Sequence, residues 1–202
     1  MTRLSHQKLK IPKIILTESE IEKLLQKIKG KRNYSNSLFL IRDYAIIYSL
    51  FTTGLRISEL LSISKIDFLN HKQPFIVNTK GGFKNTVYFT DRAIDAINHY
   101  LKKRGQDNNP FLFISERCLN SKAITTRAIQ INFKKYLIQA NLPGTNLHSL
   151  RHSFANTILE NGGAFQALQK LLGHQNASST QIYNHTKNPS FFKDWKKAHN
   201  NL

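Results

Sequence analysis

The sequence predicts a mainly α domain, α+β in formal class, with a small three-stranded antiparallel sheet. Three observations predict it. Apolar residues recur at helical spacing in several segments, most of them opened by a capping side chain or closed by a glycine. One stretch, 65–90, changes to short runs of aromatic and β-branched residues, the pattern of strands. The 202 residues contain no internal repeat, low-complexity tract or evident domain boundary, and a chain of that length buries roughly 70% of its unfolded surface.

The elements follow in order. Residues 1–16 are basic and extended, with Pro12 breaking any helix. Thr17-Glu-Ser-Glu20 is a capping box, in which a hydroxyl and a carboxylate satisfy each other's free amides at a helix start. Ile21, Leu24, Leu25 and Ile28 form the apolar face of that helix, and Gly30 ends it. After a polar loop over 31–36, a long apolar helix is expected over 37–53, with Tyr44, Ile47, Tyr48 and Phe51 as core candidates. Gly54 lets the chain turn, and a short helix starts near Arg56 with Glu59 one turn on. Taken alone, Arg56 and Glu59 read as a surface ion pair contributing a few tenths of a kcal/mol.

Three strands are expected at 66–68, 74–77 and 86–89, with Gly81-Gly82 as a hairpin turn and Lys80 at its mouth. By itself a lysine there is a solvated tip. Thr90-Asp91 caps a helix running to about Arg104, with Ala93, Ile94, Ile97 and Leu101 inward and Gly105 as its stop. A loop over 106–110, a short buried segment over 111–114 and a helix over 125–140 with Ile129, Phe133 and Leu137 follow. Pro143-Gly144 leads into a helix beginning near Leu147, and Asn161-Gly162-Gly163 ends it. Another helix is expected over 165–172, then His174 on a loop and Tyr183 on a short helix capped within 178–180. The tail from Pro189, with Phe191, Phe192 and Trp195 among lysines, reads as a helix that packs on this chain or on a neighbour.

Charge narrows the function. Thirty Lys and Arg stand against twelve Asp and Glu, a net charge of +18. A charge that large calls for a polyanionic partner, and nucleic acid is the first candidate; a ribosome-associated or merely basic protein is the other reading of charge alone. Cys118 is the only cysteine, so no intrachain disulfide can form, as suits a reducing compartment. No run approaches the roughly 20 apolar residues that span a bilayer, and the first fifteen residues lack a signal-type hydrophobic core. A soluble cytoplasmic protein, with no membrane partner, is expected.

The chemistry concentrates in 147–154, Leu-His-Ser-Leu-Arg-His-Ser-Phe. His148 and Arg151 stand three apart, on one side of a helical turn. They offer a proton shuttle beside a cation that can grip two phosphate oxygens. Leu172-Gly173-His174 adds another donor, and Tyr183, nine residues on, adds a phenol. This is what attack of a tyrosine on a phosphodiester requires. His148 and His152 at i, i+4 also have zinc-ligand spacing, but the glutamate of His-Glu-x-x-His is missing and no third ligand is evident. His152 reads better as a structural hydrogen-bonding residue. On these residues no metal or other cofactor is called for.

Five motifs in order carry a resemblance: Thr-Gly-Leu-Arg-Ile-Ser-Glu at 53–59, Thr-Lys-Gly-Gly at 79–82, His-Ser-Leu-Arg-His-Ser-Phe-Ala at 148–155, Leu-Gly-His at 172–174, and Ser-Ser-Thr-Gln-Ile-Tyr at 178–183. Through them the chain resembles the catalytic domain of the tyrosine recombinase, or phage integrase, family from the capping box to Tyr183. The resemblance implies a DNA strand transferase, independent of metal and ATP, that works through a 3′-phosphotyrosyl intermediate. It matches Arg56 and Arg151 to the family's two arginines, Lys80 to the hairpin lysine, His148 and His174 to its histidines, and Tyr183 to the nucleophile. It implies double-stranded DNA as partner, a homo-oligomer (a tetramer) on DNA, and room for accessory DNA-binding proteins. It divides the chain into a basic segment over 1–16, a catalytic domain over 17–188, and a tail over 189–202 exchanged between protomers. It departs at the front. Family members carry a preceding helical DNA-binding domain, whereas about sixteen residues precede the domain here, as in a short form or a chain shorn of that part. A DNA-binding regulator with the same fold and a type IB-like topoisomerase are the alternatives.

Overall fold

The fold comes from a computed structural model, which describes residues 15–70, 74–78, 84–115, 122–142, 144–161 and 168. Seven α-helices and one β-hairpin are present among them: α1 (Glu18–Lys29), α2 (Leu38–Thr53), α3 (Ile57–Leu61), α4 (Lys65–Asn70), β1 (Phe75–Asn78), β2 (Lys84–Val87), α5 (Asp91–Arg104), α6 (Thr126–Gln139) and α7 (Leu147–Glu160). The expected Gly81-Gly82 turn, Cys118, the helix over 165–172 apart from Leu168, and the tail lie outside the described residues.

α2 is the central element. It is largely apolar and buried on every side from Ile41 to Thr53, as a helix enclosed by neighbours is. α1, α5 and α7 pack around it. Ser37 caps its start, its side chain accepting from the Leu40 amide, and Gly54 closes it at φ 66°, a left-handed geometry suited to glycine. The capping box of α1 forms as read, with Thr17 and Glu20 satisfying each other's amides. α5 runs over the expected span from a Thr90 cap to Gly105, and buries Tyr100 beside Ala93 and Ile97.

Two polar features inside the core were not legible beforehand. Arg42 and Asp43 are both 1% exposed. Asp43 accepts from Arg42 at 2.7 and 3.0 Å, from Asn132 at 2.8 Å and from the Tyr136 hydroxyl at 2.7 Å, while Arg42 donates to the Ile114 carbonyl at 2.7 Å. A buried charge pair is tolerable only when its remaining hydrogen-bonding capacity is satisfied, and here α6 and the 111–114 segment do so. Arg104 acts similarly, its side chain 1% exposed. Its guanidinium gathers the Asp107 carboxylate and the carbonyls of Asn109, Phe111 and Leu112, which shapes the 106–110 loop.

The sheet differs from expectation. It has two strands among the described residues, paired antiparallel from Phe75↔Val87 to Asn78↔Lys84. Residues 66–68, read as a third strand, lie in α4. Local hydrogen bonding explains the change: the Ser64 side chain accepts from the Asp67 amide at 3.0 Å, and the Ser64 carbonyl from the Phe68 amide at 3.1 Å, which starts a helix. Only Phe68 of the pair needs burial, stacked 5.6 Å from Phe75, whereas Ile66 is 59% exposed. The second strand also ends earlier than expected, at Val87, so Tyr88 and Phe89 leave the ladder. Among the described residues no helix is long and apolar enough to cross a membrane.

Candidate active site

The α2–α3 turn and α7 meet around one buried carboxylate. Gly54 reverses the chain, and Arg56, in extended conformation, becomes the N-cap residue of α3. Glu59, one turn into that helix, accepts from the Arg56 amide at 2.8 Å through Oε2 and from the Arg56 guanidinium at 2.8 Å through Oε1. The pair is not the surface contact that spacing alone suggests. Glu59 is 4% exposed while the Arg56 side chain is 39% exposed, so a buried anion holds a cation whose other side faces solvent.

Arg151 comes to the same carboxylate from α7. Its Nη1 donates to the Gly54 carbonyl at 3.0 Å and lies 3.9 Å from Glu59 Oε2. α7 delivers it because Asn146 caps the helix, its side chain accepting from the Ser149 amide, and because Leu147, Leu150, Phe154 and Ile158 bury the inward face. Burial pulls the Arg151 guanidinium down to about 10; the like charge of Arg56 adds to that and Glu59 opposes it. It remains a cation at neutral pH. Two arginines whose charges oppose each other are thus held around one buried carboxylate, a pair of guanidiniums of the kind that suits a bidentate anion.

His148 and Arg151 share a helical turn as expected, but at different depths: His148 is exposed and Arg151 is buried. The His148 ring meets the His152 ring edge to face at 4.9 Å. Among the described residues no group of three His, Cys, Asp or Glu is placed to hold a metal ion. Thus the structure brings Arg56, Arg151 and His148 to one region, and Lys80, His174 and Tyr183 lie outside the described residues. Sequence reasoning missed two contributors here. The Gly54 carbonyl is a backbone group that no motif advertises, although Gly54 itself stands in one. Ser153 accepts from the Leu16 amide at 3.1 Å and ties the segment entering α1 to α7. A groove lined by Lys65, Leu69, Leu101, Lys102 and residues 105–108 contains none of the candidate residues.

Comparison with known proteins now places the chain. Its fold is similar to that of the XerA recombinase, with a TM-score of 0.66 and 27% identity over 92% of this chain and 65% of that one. It is likewise similar to the Tn1549 transposon integrase solved in complex with transposon right-end DNA, with a TM-score of 0.66 and 25% identity over 84% of this chain and 63% of that one. This is the fold of a tyrosine recombinase catalytic domain. The phage integrase family matches residues 15–189, and the chain belongs to that family. Tyrosine recombinase XerC of Caldanaerobacter subterraneus subsp. tengcongensis is 40% identical over 178 residues, covering 85% of this chain and 47% of the relative. The chain spans about half of that relative's length.

Proposed function

We propose that the protein is a site-specific recombinase that cuts and rejoins double-stranded DNA through Tyr183. The observation that carries this reading is the Arg56–Glu59–Arg151 constellation, two guanidiniums fixed around one buried carboxylate. Membership of the phage integrase family and a net charge of +18 support DNA as the substrate. The resemblance to the family matches Tyr183 to the nucleophile, and the surroundings of the other tyrosines are consistent with that. Of the seven tyrosines, Tyr44, Tyr48, Tyr88, Tyr100 and Tyr136 are buried, and Tyr34 packs edge-on against Tyr44. Burial pushes the phenols of Tyr34 and Tyr48 up to about 12, and those of Tyr88 and Tyr100 upward too, the wrong direction for a nucleophile. Tyr183 is the remaining phenol.

In the proposed step the Tyr183 oxygen attacks the phosphorus, and its proton passes to His148. The bond from phosphorus to the 5′ oxygen breaks, and that oxygen takes a proton from Lys80. Arg56, Arg151 and His174 stabilise the charge that builds on the non-bridging oxygens. The phosphotyrosine retains the energy of the broken bond, so a new 5′ hydroxyl rejoins the strand without ATP, and no step calls for a metal ion. Each protomer supplies one tyrosine, so exchange between two duplexes requires four, a tetramer on DNA in which residues 189–202 pack on a neighbouring protomer and accessory DNA-binding proteins have a place. Incubation with a supercoiled plasmid carrying two copies of the target site tests the reading. Recombinant circles are expected; relaxation alone would indicate a topoisomerase, and unchanged plasmid a DNA-binding regulator.

A further inference from the structure

Beside the main core stands a second, smaller apolar cluster among the described residues: Tyr88, Phe154, Ile158 and Leu168, with Ala155 packed against it. Its members come from three places that matter to the chemistry. Tyr88 is the first residue after β2, and Lys80 lies in sequence between β1 and β2. Phe154 and Ile158 belong to α7, which carries His148 and Arg151. Leu168 precedes His174 by six residues.

The division between the clusters has a simple origin. Successive side chains on extended backbone point to opposite sides. Val87 and Phe89 therefore enter the main core, 2% and 0% exposed, while Tyr88 between them turns to the second cluster. α7 is divided in the same way along its length. Leu147 and Leu150 join the main core, whereas Phe154 and Ile158 join the second cluster. Arg151 falls at the junction, between Leu150 and Phe154. Moreover, a two-stranded hairpin is marginal by itself. The position of this one relative to α7 depends on what anchors its roots, and Tyr88 anchors it to the α7 side.

We propose that Tyr88 is a positioning residue, which seats the hairpin on α7 so that Lys80 meets the phosphate held by Arg151. The proposal rests on the reading of Lys80 as the acid that protonates the leaving oxygen. The Tyr88 ring does the seating, since the cluster it fills is apolar. Misplacing a reacting group by an ångström lowers a rate by about 10²-fold, and that is the loss expected for cleavage by Tyr88→Ala.

The test compares two nicked DNA substrates, one with the normal 5′ oxygen and one with sulfur there, which departs without a proton. Wild type, Lys80→Ala, Tyr88→Ala, Tyr88→Leu and Tyr88→Phe are assayed for covalent complex, each first shown to be folded by circular dichroism and to bind duplex DNA. The expected result is slow cleavage of the oxygen substrate by Tyr88→Ala, or by Tyr88→Leu if the alanine variant unfolds, with sulfur restoring the rate to within about threefold of wild type. Tyr88→Phe should cleave both substrates at the wild-type rate. A general loosening of the fold would slow both substrates alike. If Lys80→Ala is rescued by sulfur and the folded Tyr88 variant is not, or if that variant cleaves the oxygen substrate normally, the seating role is refuted and the acid stands. If Lys80→Ala is not rescued, the acid assignment fails and the proposal falls with it.

Discussion

Replacing Glu59 by glutamine should destabilise the free protein yet tighten its hold on DNA. Glutamine keeps the shape, but its single oxygen can accept from only one of the two donors now 2.8 Å from the carboxylate, the Arg56 amide on Oε2 or the Arg56 guanidinium on Oε1. It also loses the charge. Hydrogen bonds to a charged partner contribute about 1.5–3 kcal/mol against about 0.5–1.5 for neutral ones, so the Arg56 contact weakens by about 1 kcal/mol. At the 3.9 Å separation from Arg151, two unit charges interact by about 4 kcal/mol at an effective dielectric of 20. Water around the half-open Arg56 side of the site screens much of that, leaving about 1 kcal/mol. Together the free protein should lose about 2 kcal/mol, measurable as a fall in the urea midpoint. A bound DNA phosphate replaces the missing anion, so the penalty shrinks in the complex. By linkage, affinity for duplex DNA should then rise by about three- to tenfold at low salt, while cleavage slows because neither guanidinium is held in place. Unchanged stability together with weaker DNA binding would refute the idea that Glu59 balances the two arginines.

Other substitutions probe the frame around the site. Asp43→Ala strands the buried Arg42 guanidinium and should cost about 3–5 kcal/mol by urea unfolding; a loss below about 1 kcal/mol would show that the network of Arg42, Asn132 and Tyr136 is dispensable. Gly54→Ala places a side chain at φ 66°, costs about 1–2 kcal/mol, and should slow cleavage beyond that loss, since the Gly54 carbonyl holds Arg151; cleavage at the wild-type rate by the folded variant would contradict this. Deleting residues 189–202 should leave single-site binding intact and reduce multimers on DNA in sedimentation, and unchanged assembly would reject exchange of the tail.

Local features were the legible ones. The Thr17 capping box, the Thr90 cap and Gly105 stop of α5, and the Asn161 end of α7 all depend on residues within one turn of each other, and each forms as read. The failures involve contacts distant in sequence or competition between two local signals. Ile66 and Phe68 satisfy the strand pattern, but Ser64 supplies a helix cap and solvent accepts Ile66. Arg56 and Glu59 have the spacing of any surface pair; that Glu59 is buried depends on α7 arriving with Arg151 ninety-odd residues later. The pairing of Arg42 with Asp43, and their burial, required knowing that Tyr136 and Asn132 of α6 would face them. The five motifs named the candidate residues, whereas the depth difference between His148 and Arg151 appeared only with the packing of α7.

Strand cleavage is proposed to begin with attack by the Tyr183 phenolic oxygen. The direct measurement is a nicked suicide duplex incubated with wild type and with Tyr183→Phe, followed by denaturing electrophoresis and mass spectrometry of the DNA-linked peptide. The wild type should accumulate a covalent complex whose DNA is attached through a 3′ phosphate to the peptide containing Tyr183, and the phenylalanine variant should bind the same duplex with unchanged affinity and form none. An adduct that persists in Tyr183→Phe, or one mapped to any other residue, would contradict the account.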